Sequence, residues 1–165
     1  MRIPALAALV ILTALASAPA ARADYSGGLP PRDVPVRVRS MSSGHCLAVQ
    51  GGNGAAIVQE PCDPARAGQH FTFTDALGLP MIRTAHGKCW NVHAASRADG
   101  AWITQWDCLA QLNEWFAPTV GARSGFYIES TTRGPRPCLL TRRHSPLVQY
   151  GCDATGDQRF QWEPA

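Results

Sequence analysis

The sequence predicts an all-β domain built from three repeats, and three observations support this class. A unit with two cysteines and a closing aromatic residue occurs three times, and its second cysteines are 46 and 44 residues apart. A fixed period of this kind indicates one structural unit used several times. No window keeps a helical apolar period. Short runs rich in Val, Ile, Thr and aromatic residues alternate instead with turn residues, as in a barrel or sandwich of short strands.

Each unit contains three segments in the same order. The segments around the first cysteine are residues 44–49, 87–92 and 137–141, those before the second cysteine are 58–62, 104–108 and 148–152, and the closing ones are 69–71, 113–115 and 158–160. The predicted strands are residues 34–39, 56–59, 70–74, 81–84, 102–106, 115–119, 126–130, 146–150 and 160–163. Because a unit of this size cannot bury a core alone, the three must pool their apolar faces around one axis.

Two sets of equivalent large residues are predicted to fill that common core because of their size and position. The set after the first cysteine is Leu47, Trp90 and Leu139, and the set in the closing segment is Phe71, Trp115 and Phe160.

The first residues have the features of a secretory signal peptide, predicted as residues 1–23. Arg2 precedes an uncharged apolar run, and Ala21-Arg22-Ala23 forms an Ala-x-Ala cleavage site, so the mature chain would begin at Asp24. An uncleaved membrane anchor is the alternative. Residues 24–33 are interpreted as a flexible or polyproline-like linker, with an ordered strap as the other interpretation.

The net charge of the chain gives no support to two classes of partner. The whole chain is +3, but removal of Arg2 and Arg22 with the signal would leave 13 basic against 12 acidic residues. A nearly neutral surface gives no reason to expect a nucleic acid or an anionic membrane as partner. A second apolar stretch of spanning length is also missing from the sequence, so we expect no membrane span and a secreted, extracellular protein.

Export would place the six cysteines in an oxidising compartment, where disulfides persist. Six cysteines allow 15 connectivities, but units that fold alike must pair alike. The predicted disulfides are therefore Cys46–Cys62, Cys89–Cys108 and Cys138–Cys152. No Cys-x-x-Cys or His-x-x-x-His spacing is present, so neither a metal site nor a cofactor is predicted.

The repeated segments resemble those of the ricin B-type, or R-type, lectin repeat. Its members carry Gly-x-Cys-Leu-Asp-Val, Val-x-Gln-Trp/Tyr-x-Cys and Asn-Gln-x-Trp segments. Three copies in order with paired cysteines make the resemblance specific, and it covers residues 36–163. It implies a pseudo-threefold β-trefoil of about 12 strands over residues 34–165, with repeats at about 34–75, 79–119 and 124–165, and it implies carbohydrate binding.

In such lectins a polar side chain bonds two adjacent sugar hydroxyls, an aromatic ring packs on the apolar face of the sugar, and a closing Asn adds a hydrogen bond. The Asp position corresponds to Ala48, Asn91 and Leu140, the aromatic position to Glu60, Trp106 and Tyr150, the closing Asn to Gly68, Leu112 and Asp157, and the Gln after it to Gln69, Asn113 and Gln158. No unit keeps the full set.

The resemblance therefore implies at most two weak sugar sites. The better one, in the second repeat, would use Asn91, Trp106 and Asn113, and a weaker one in the third would use Tyr150 and Asp157. The alternative is structural: the recurring amides would bond buried backbone groups, and the two aromatic rings would cover the neighbouring disulfides. The recurrence of Gln59, Gln105 and Gln149 favours a structural bond common to all units.

Two functions remain. The first is a secreted carbohydrate-binding protein whose partner is a glycan, of galactose type or another sugar. The second is a degenerate trefoil that binds a protein, for example as a receptor-binding subunit of a toxin or as an inhibitor. An enzyme is not predicted, because neither Gly-x-Ser-x-Gly nor His-Glu-x-x-His occurs and the acids show no catalytic pattern.

Overall fold

A computed structural model describes residues 28–121, 124–142, 145–153 and 155–165. The predicted signal peptide and the first residues of the predicted linker lie outside these ranges. The described residues form twelve strands: β1 Pro35–Ser40, β2 Cys46–Ala48, β3 Val58–Glu60, β4 Phe71–Ala76, β5 Leu79–Thr84, β6 Cys89–Val92, β7 Ile103–Trp106, β8 Phe116–Val120, β9 Phe126–Ser130, β10 Cys138–Leu140, β11 Val148–Tyr150 and β12 Phe160–Pro164. Among these residues no helix has the length and hydropathy needed to cross a bilayer.

Six of the strands form the barrel, and all their pairings are antiparallel. β1 pairs with β4 and β12, while β9 pairs with β8 and β12. The β4–β5 hairpin is joined by Leu77 and Gly78, both at positive φ, which allows the tight connection. The alternation of buried and less buried residues along β1 and β9 is the pattern of strands with one face on a core.

The other six strands form three hairpins, β2–β3, β6–β7 and β10–β11, one in each repeat. Three buried residues just before or at the start of the second strand of each hairpin close a ring of backbone hydrogen bonds. The Ile57 N–H donates to the Ile103 carbonyl at 2.9 Å, Ile103 to Leu147 at 2.8 Å, and Leu147 back to Ile57 at 2.8 Å. This ring marks the pseudo-threefold axis, so the predicted β-trefoil is confirmed.

Three equivalent glutamines link the repeats in a ring. The side chain of each one binds a loop that belongs to another repeat. The Gln59 side chain donates to the Arg142 carbonyl at 3.0 Å. Gln105 donates to the Gly51 carbonyl at 2.6 Å, and Gln149 to the carbonyls of Ser96 and Ala98. The structural interpretation of these recurring side chains is therefore the correct one.

The core layer is as predicted in the first and third repeats and differs by one residue in the second. Phe71 and Phe160 are fully buried, and their equivalent is Phe116, the first residue of β8, which is also fully buried. The prediction that Trp115 occupies this place is wrong, since Trp115 is only half-buried. Trp90 links the layer across repeats, because its ring lies 5.1 Å from Phe71 and 6.0 Å from Phe116 in edge-on contacts.

All three predicted disulfides are formed: Cys46–Cys62, Cys89–Cys108 and Cys138–Cys152. Each joins the start of a hairpin's first strand to the segment after its second strand. In the chain-entropy model a loop of this size stabilises the fold by about 3 kcal/mol. β2, β6 and β10 were not among the strands predicted from the sequence, because they begin at a cysteine and are too short to show alternation.

The described part of the predicted linker lies along the barrel. The Asp33 N–H donates to the Phe73 carbonyl at 2.8 Å, and the Asp33 carboxylate accepts from the Thr74 hydroxyl at 2.7 Å. The Trp162 indole donates to the Gly28 carbonyl at 3.2 Å. Residues 28–33 thus form an ordered strap across the first and third repeats.

Candidate functional site

The second repeat contains an open depression of about 420 Å³ at its surface. The three residues predicted for the better sugar site, Asn91, Trp106 and Asn113, all line it. Asn91 comes from β6, Trp106 from the end of β7, and Asn113 from the 3₁₀ turn Leu112–Glu114 that precedes β8. The antiparallel pairing of β6 with β7 brings the first two together, because Asn91 and Trp106 lie two register positions apart.

Asn91 forms the polar floor of this depression. The residue is 8% exposed, and within the described chain its side-chain amide makes no hydrogen bond. Neither polar atom of this amide is fully enclosed, so both remain accessible from the depression. The Asn91 side chain therefore has an unused donor and an unused acceptor that face the open space.

Asn113 is held beside it by a bond to the backbone. Its Nδ2 donates to the Val92 carbonyl at 3.5 Å, which leaves Oδ1 able to accept from a ligand hydroxyl. The structure also corrects the alignment of this segment. Asn113 occupies the place of Gly68 and Asp157, which is the closing Asn position, so the assignment of Leu112 to that position is wrong.

Glu114 then takes the place of Gln69 and Gln158, and the hydrogen bonds establish this. Gln69 Oε1 accepts from the Asp63 N–H and Gln158 Oε1 from the Asp153 N–H, both at 2.9 Å. Glu114 Oε2 accepts from the equivalent Leu109 N–H at 2.8 Å. The segment Asn113-Glu114-Trp115-Phe116 consequently matches Asn-Gln-x-Trp with Glu for Gln and Phe for Trp, and Asn113 stands at the closing Asn position of this motif.

Trp106 provides an exposed aromatic surface beside these amides. Its side chain is 41% exposed, so the prediction of a surface ring, rather than a cover buried over the disulfide, describes it better. The ring rests against the loop of the first repeat, because a Cβ added to Gly54 would lie only 3.7 Å from Cζ3 of Trp106. Gly54 is at φ +84°, a conformation that favours glycine.

Asp107 fastens that loop at the position next to Trp106. Its carboxylate accepts from Lys88 Nζ at 2.6 Å and from Asn53 Nδ2 at 2.8 Å. The Lys88 bond, followed by the Asn53 bond, lowers the pKa of Asp107 below its ordinary value of 3.8. The carboxylate thus stays ionised at neutral pH and joins the first repeat to the strand end that carries Trp106.

Five further residues that were not predicted from the sequence line the depression: His93, Ala94, Ala95, Leu109 and Gln111. The 3₁₀ turn His93–Ala95 follows β6 directly, and Ala94 and Ala95 have φ values of 53° and 50°. Left-handed backbone at residues with a side chain costs roughly 1–2 kcal/mol each, and such strain is typical of sites where geometry serves a ligand. For His93, Ala94 and Ala95 the signal in the sequence was only their place after Asn91.

The equivalent place in the first repeat is filled by other contacts. Ala48 is fully buried and offers no polar group, and Glu60 forms a salt bridge with Arg66 at 2.5 Å where Trp106 stands in the second repeat. At Gly68 an added Cβ would lie 2.5 Å from the Val49 carbonyl oxygen, so no side chain fits there. The first repeat has neither the amides nor the ring of the second.

Of the two residues predicted for the weaker site in the third repeat, Tyr150 lines a depression there and Asp157 does not. Tyr150 is 44% exposed and lines a depression together with Leu140, which is almost fully buried. Asp157 is not among the residues that line it. Its carboxylate lies 3.9 Å from Nε of Arg142.

Comparisons with known proteins agree with this architecture. The family model of the ricin-type β-trefoil lectin domain matches residues 34–123, which is 90 of the 165 residues. No curated protein sequence is significantly similar to the chain. Among solved structures, the chain is similar to the designed threefold-symmetric protein ThreeFoil (19% identity, TM-score 0.71), with coverage of 79% of this chain and 99% of that one.

Two further structures share the fold at low identity. The BEL β-trefoil is 18% identical with a TM-score of 0.67, over 82% of this chain and 96% of that chain. The exo-β-1,3-galactanase 1,3Gal43A from Clostridium thermocellum is 20% identical with a TM-score of 0.72, over 82% of this chain but only 31% of the enzyme. With three units around one axis, three intra-repeat disulfides and a family model that matches more than half of its length, the chain belongs to the ricin-type β-trefoil lectin domain family.

Proposed function

We propose that this protein is a secreted, non-catalytic carbohydrate-binding module that binds a neutral sugar at the second repeat through Asn91, Trp106 and Asn113. The observation that carries the proposal is the unpartnered, largely buried amide of Asn91 beside the exposed ring of Trp106. Three intra-repeat disulfides support export, because such bonds persist in oxidising compartments.

The chemistry of the depression suits a pyranose that bears two adjacent hydroxyls. Asn91 can donate to one hydroxyl through Nδ2 and accept from its neighbour through Oδ1. Asn113 Oδ1 accepts from a further hydroxyl, while the Trp106 ring packs on the apolar C–H face of the sugar. The exposed His93 and Gln111 lie at the rim, where water can bridge them to the ligand.

The affinity should be weak. Each hydrogen bond adds only about 0.5–1.5 kcal/mol net, because sugar and protein groups are both hydrated before binding. A neutral amide at the Asn91 position also lacks the stronger bond that a carboxylate would accept. We expect a dissociation constant on the order of 1 mM, or about −4 kcal/mol, and useful retention only on multivalent glycan surfaces.

A glycan array followed by titration tests the proposal. Trp106→Ala should weaken binding of the best neutral glycan by more than about tenfold, because it removes the apolar platform. Val120→Ala is the control, since Val120 is also an exposed apolar residue of this repeat but lies outside the depression. Tyr150→Ala should have a smaller effect than Trp106→Ala on binding of the same glycan.

The outcomes of this experiment distinguish carbohydrate binding from the alternative, a trefoil that binds a protein. Equal binding by wild type and Trp106→Ala would contradict the site. A correctly folded, disulfide-bonded wild type that binds no glycan would leave the protein-binding trefoil as the remaining function. Loss of the fold in Trp106→Ala, measured by thermal unfolding, would mean that the ring is structural.

A further inference from the structure

A second depression, of about 270 Å³, lies where the second and third repeats meet. Trp102 of the second repeat and Val148 of the third are joined there by an antiparallel bridge, so both repeats contribute to its lining. We name it the cross-repeat pocket, and the residues that matter are Trp102, Leu140, Arg142, Pro146, Val148 and Tyr150.

The cross-repeat pocket cannot recognise hydroxyls as the site in the second repeat does. Leu140 occupies the place of Asn91 and is 6% exposed, so the floor is apolar. Trp102 and Tyr150, which are 53% and 44% exposed, add two large rings. A ligand gains most here by covering aromatic surface, and its orientation must come from a polar group at the rim.

Arg142 supplies that group. Its side chain is 69% exposed, and the ion pair that it forms with Asp157 is long at 3.9 Å between Nε and Oδ2. Its charge also acts on the carboxylate of Asp153. Its guanidinium makes no hydrogen bond to the part of the chain that the structure describes, which leaves donors for a ligand. The Arg142 backbone is nevertheless fixed, because its carbonyl accepts from Gln59 Nε2 at 3.0 Å.

The described residues that line the cross-repeat pocket carry only positive charge, although the carboxylates of Asp157 and Asp153 interact with Arg142 from outside the lining. Arg142 is the charged residue among those that line it, and no carboxylate does so within the described chain. A guanidinium can bind a carboxylate or a sulfate through two parallel N–H donors. The rings and the apolar floor suit the C–H face of a pyranose, and this combination selects a sugar with an acidic substituent.

We propose that the cross-repeat pocket binds an acidic saccharide, with its carboxylate or sulfate on Arg142 and its sugar ring against Trp102 and Tyr150. This site shares no residue with the neutral-sugar site of the second repeat and does not depend on it. It also gives a role to Trp102, which belongs to none of the three repeated segments of its unit.

The test uses the mature protein with Trp106→Ala, so that the second-repeat site does not contribute. The probes are methyl glucuronide and galactose 6-sulfate, each compared with its uncharged parent sugar by NMR titration that follows the indole signals. The acidic probes should shift the Trp102 indole and bind with at least about tenfold higher affinity than the parents, and raised salt should weaken them. A difference between the two probes assigns carboxylate or sulfate as the preferred group.

Variants complete the test. Arg142→Gln should reduce binding of the acidic probes to the level of the parent sugars, whereas Arg83→Gln, at an exposed arginine outside the pocket, should leave it unchanged. Trp102→Ala should lower the affinity for acidic and parent sugars alike. The proposal is overturned if the acidic and parent sugars bind equally, if neither acidic probe binds, or if Arg142→Gln binds the probes as well as its background does.

Discussion

The first and second repeats share a backbone plan and differ at the three positions that would touch a sugar. The second has Asn91, Trp106 and Asn113, whereas the first has Ala48, Glu60 and Gly68. Around these positions the disulfide, the hairpin and the clamping glutamine are the same in both. The comparison teaches that scaffold and candidate site are separable here, because the glutamines that hold the loops are not the side chains that line the depression.

The largest expected effect concerns the core layer that aligns the two repeats. Phe116→Ala should lower the free energy of unfolding by about 3–5 kcal/mol, because Phe116 is fully buried like Phe71. Trp115→Ala should cost clearly less, since Trp115 is half-buried. Denaturant unfolding of both variants measures the difference. A larger loss for Trp115→Ala would restore the alignment that was based on Trp115.

The next largest effect on stability concerns Gly68, the position of the first repeat that corresponds to Asn113 of the second. Gly68→Asn should destabilise the fold by about 2–3 kcal/mol, because the new Cβ would lie 2.5 Å from the Val49 carbonyl and the backbone must shift. Gly52→Ala is the control, since nothing lies within 4 Å of its added Cβ. If Gly68→Asn is as stable as wild type, steric exclusion does not explain the missing amide.

A smaller effect, of opposite sign, is expected in the second repeat. Gln69 and Gln158 donate to the carbonyl just before the second cysteine of their repeats, at 2.8 and 2.7 Å, whereas Glu114 Oε1 is buried without a hydrogen-bond partner. Glu114→Gln should restore this donor and stabilise the protein by about 1 kcal/mol. The reciprocal Gln69→Glu should destabilise it. Unfolding midpoints that move the other way would refute the assignment.

The smallest effect is on the support of the Trp106 ring. The pKa of Asp107 is lowered in the folded protein, so its contribution is complete above the ordinary value of 3.8 and is lost as the pH falls through the lower folded value. We expect the Trp106 indole signal and neutral-sugar affinity to be constant down to about pH 4 and to change below it. Asp107→Asn should abolish this step, whereas Asp99→Asn should retain it.

The fold could be predicted from the sequence because its signals are repeated. Three equivalent cysteine pairs reduced fifteen connectivities to one, and each repeat confirmed the period of the others. The one-residue error arose where Trp115 and Phe116 are adjacent, because either aromatic fits a period that varies by a residue. The buried partner of the Leu109 N–H, which is Glu114, decides between them, and this contact is visible only in three dimensions.

The candidate site was predicted in part. Asn91, Trp106 and Asn113 could be named because each stands at a fixed distance from a cysteine or a closing aromatic residue. Trp102 could not, since its relevance depends on the bridge to Val148 in another repeat. The support that the first repeat gives to Trp106 through Gly54 and Asn53 was likewise hidden, because it joins residues about 50 positions apart in the chain.

The ring of glutamines has a consequence for anyone who would transplant a binding loop. The loop at Ser96 and Ala98 is clamped by Gln149, and the loop at Gly51 by Gln105, so each loop and its clamp belong to different thirds of the molecule. A single repeat moved into another trefoil would lack the glutamine that holds its loop, because that glutamine belongs to a different repeat. The three glutamine clamps form a closed cycle, and the first and last strands, β1 and β12, are paired. New termini cut between two repeats, with the old ends joined, should therefore leave every clamp in place.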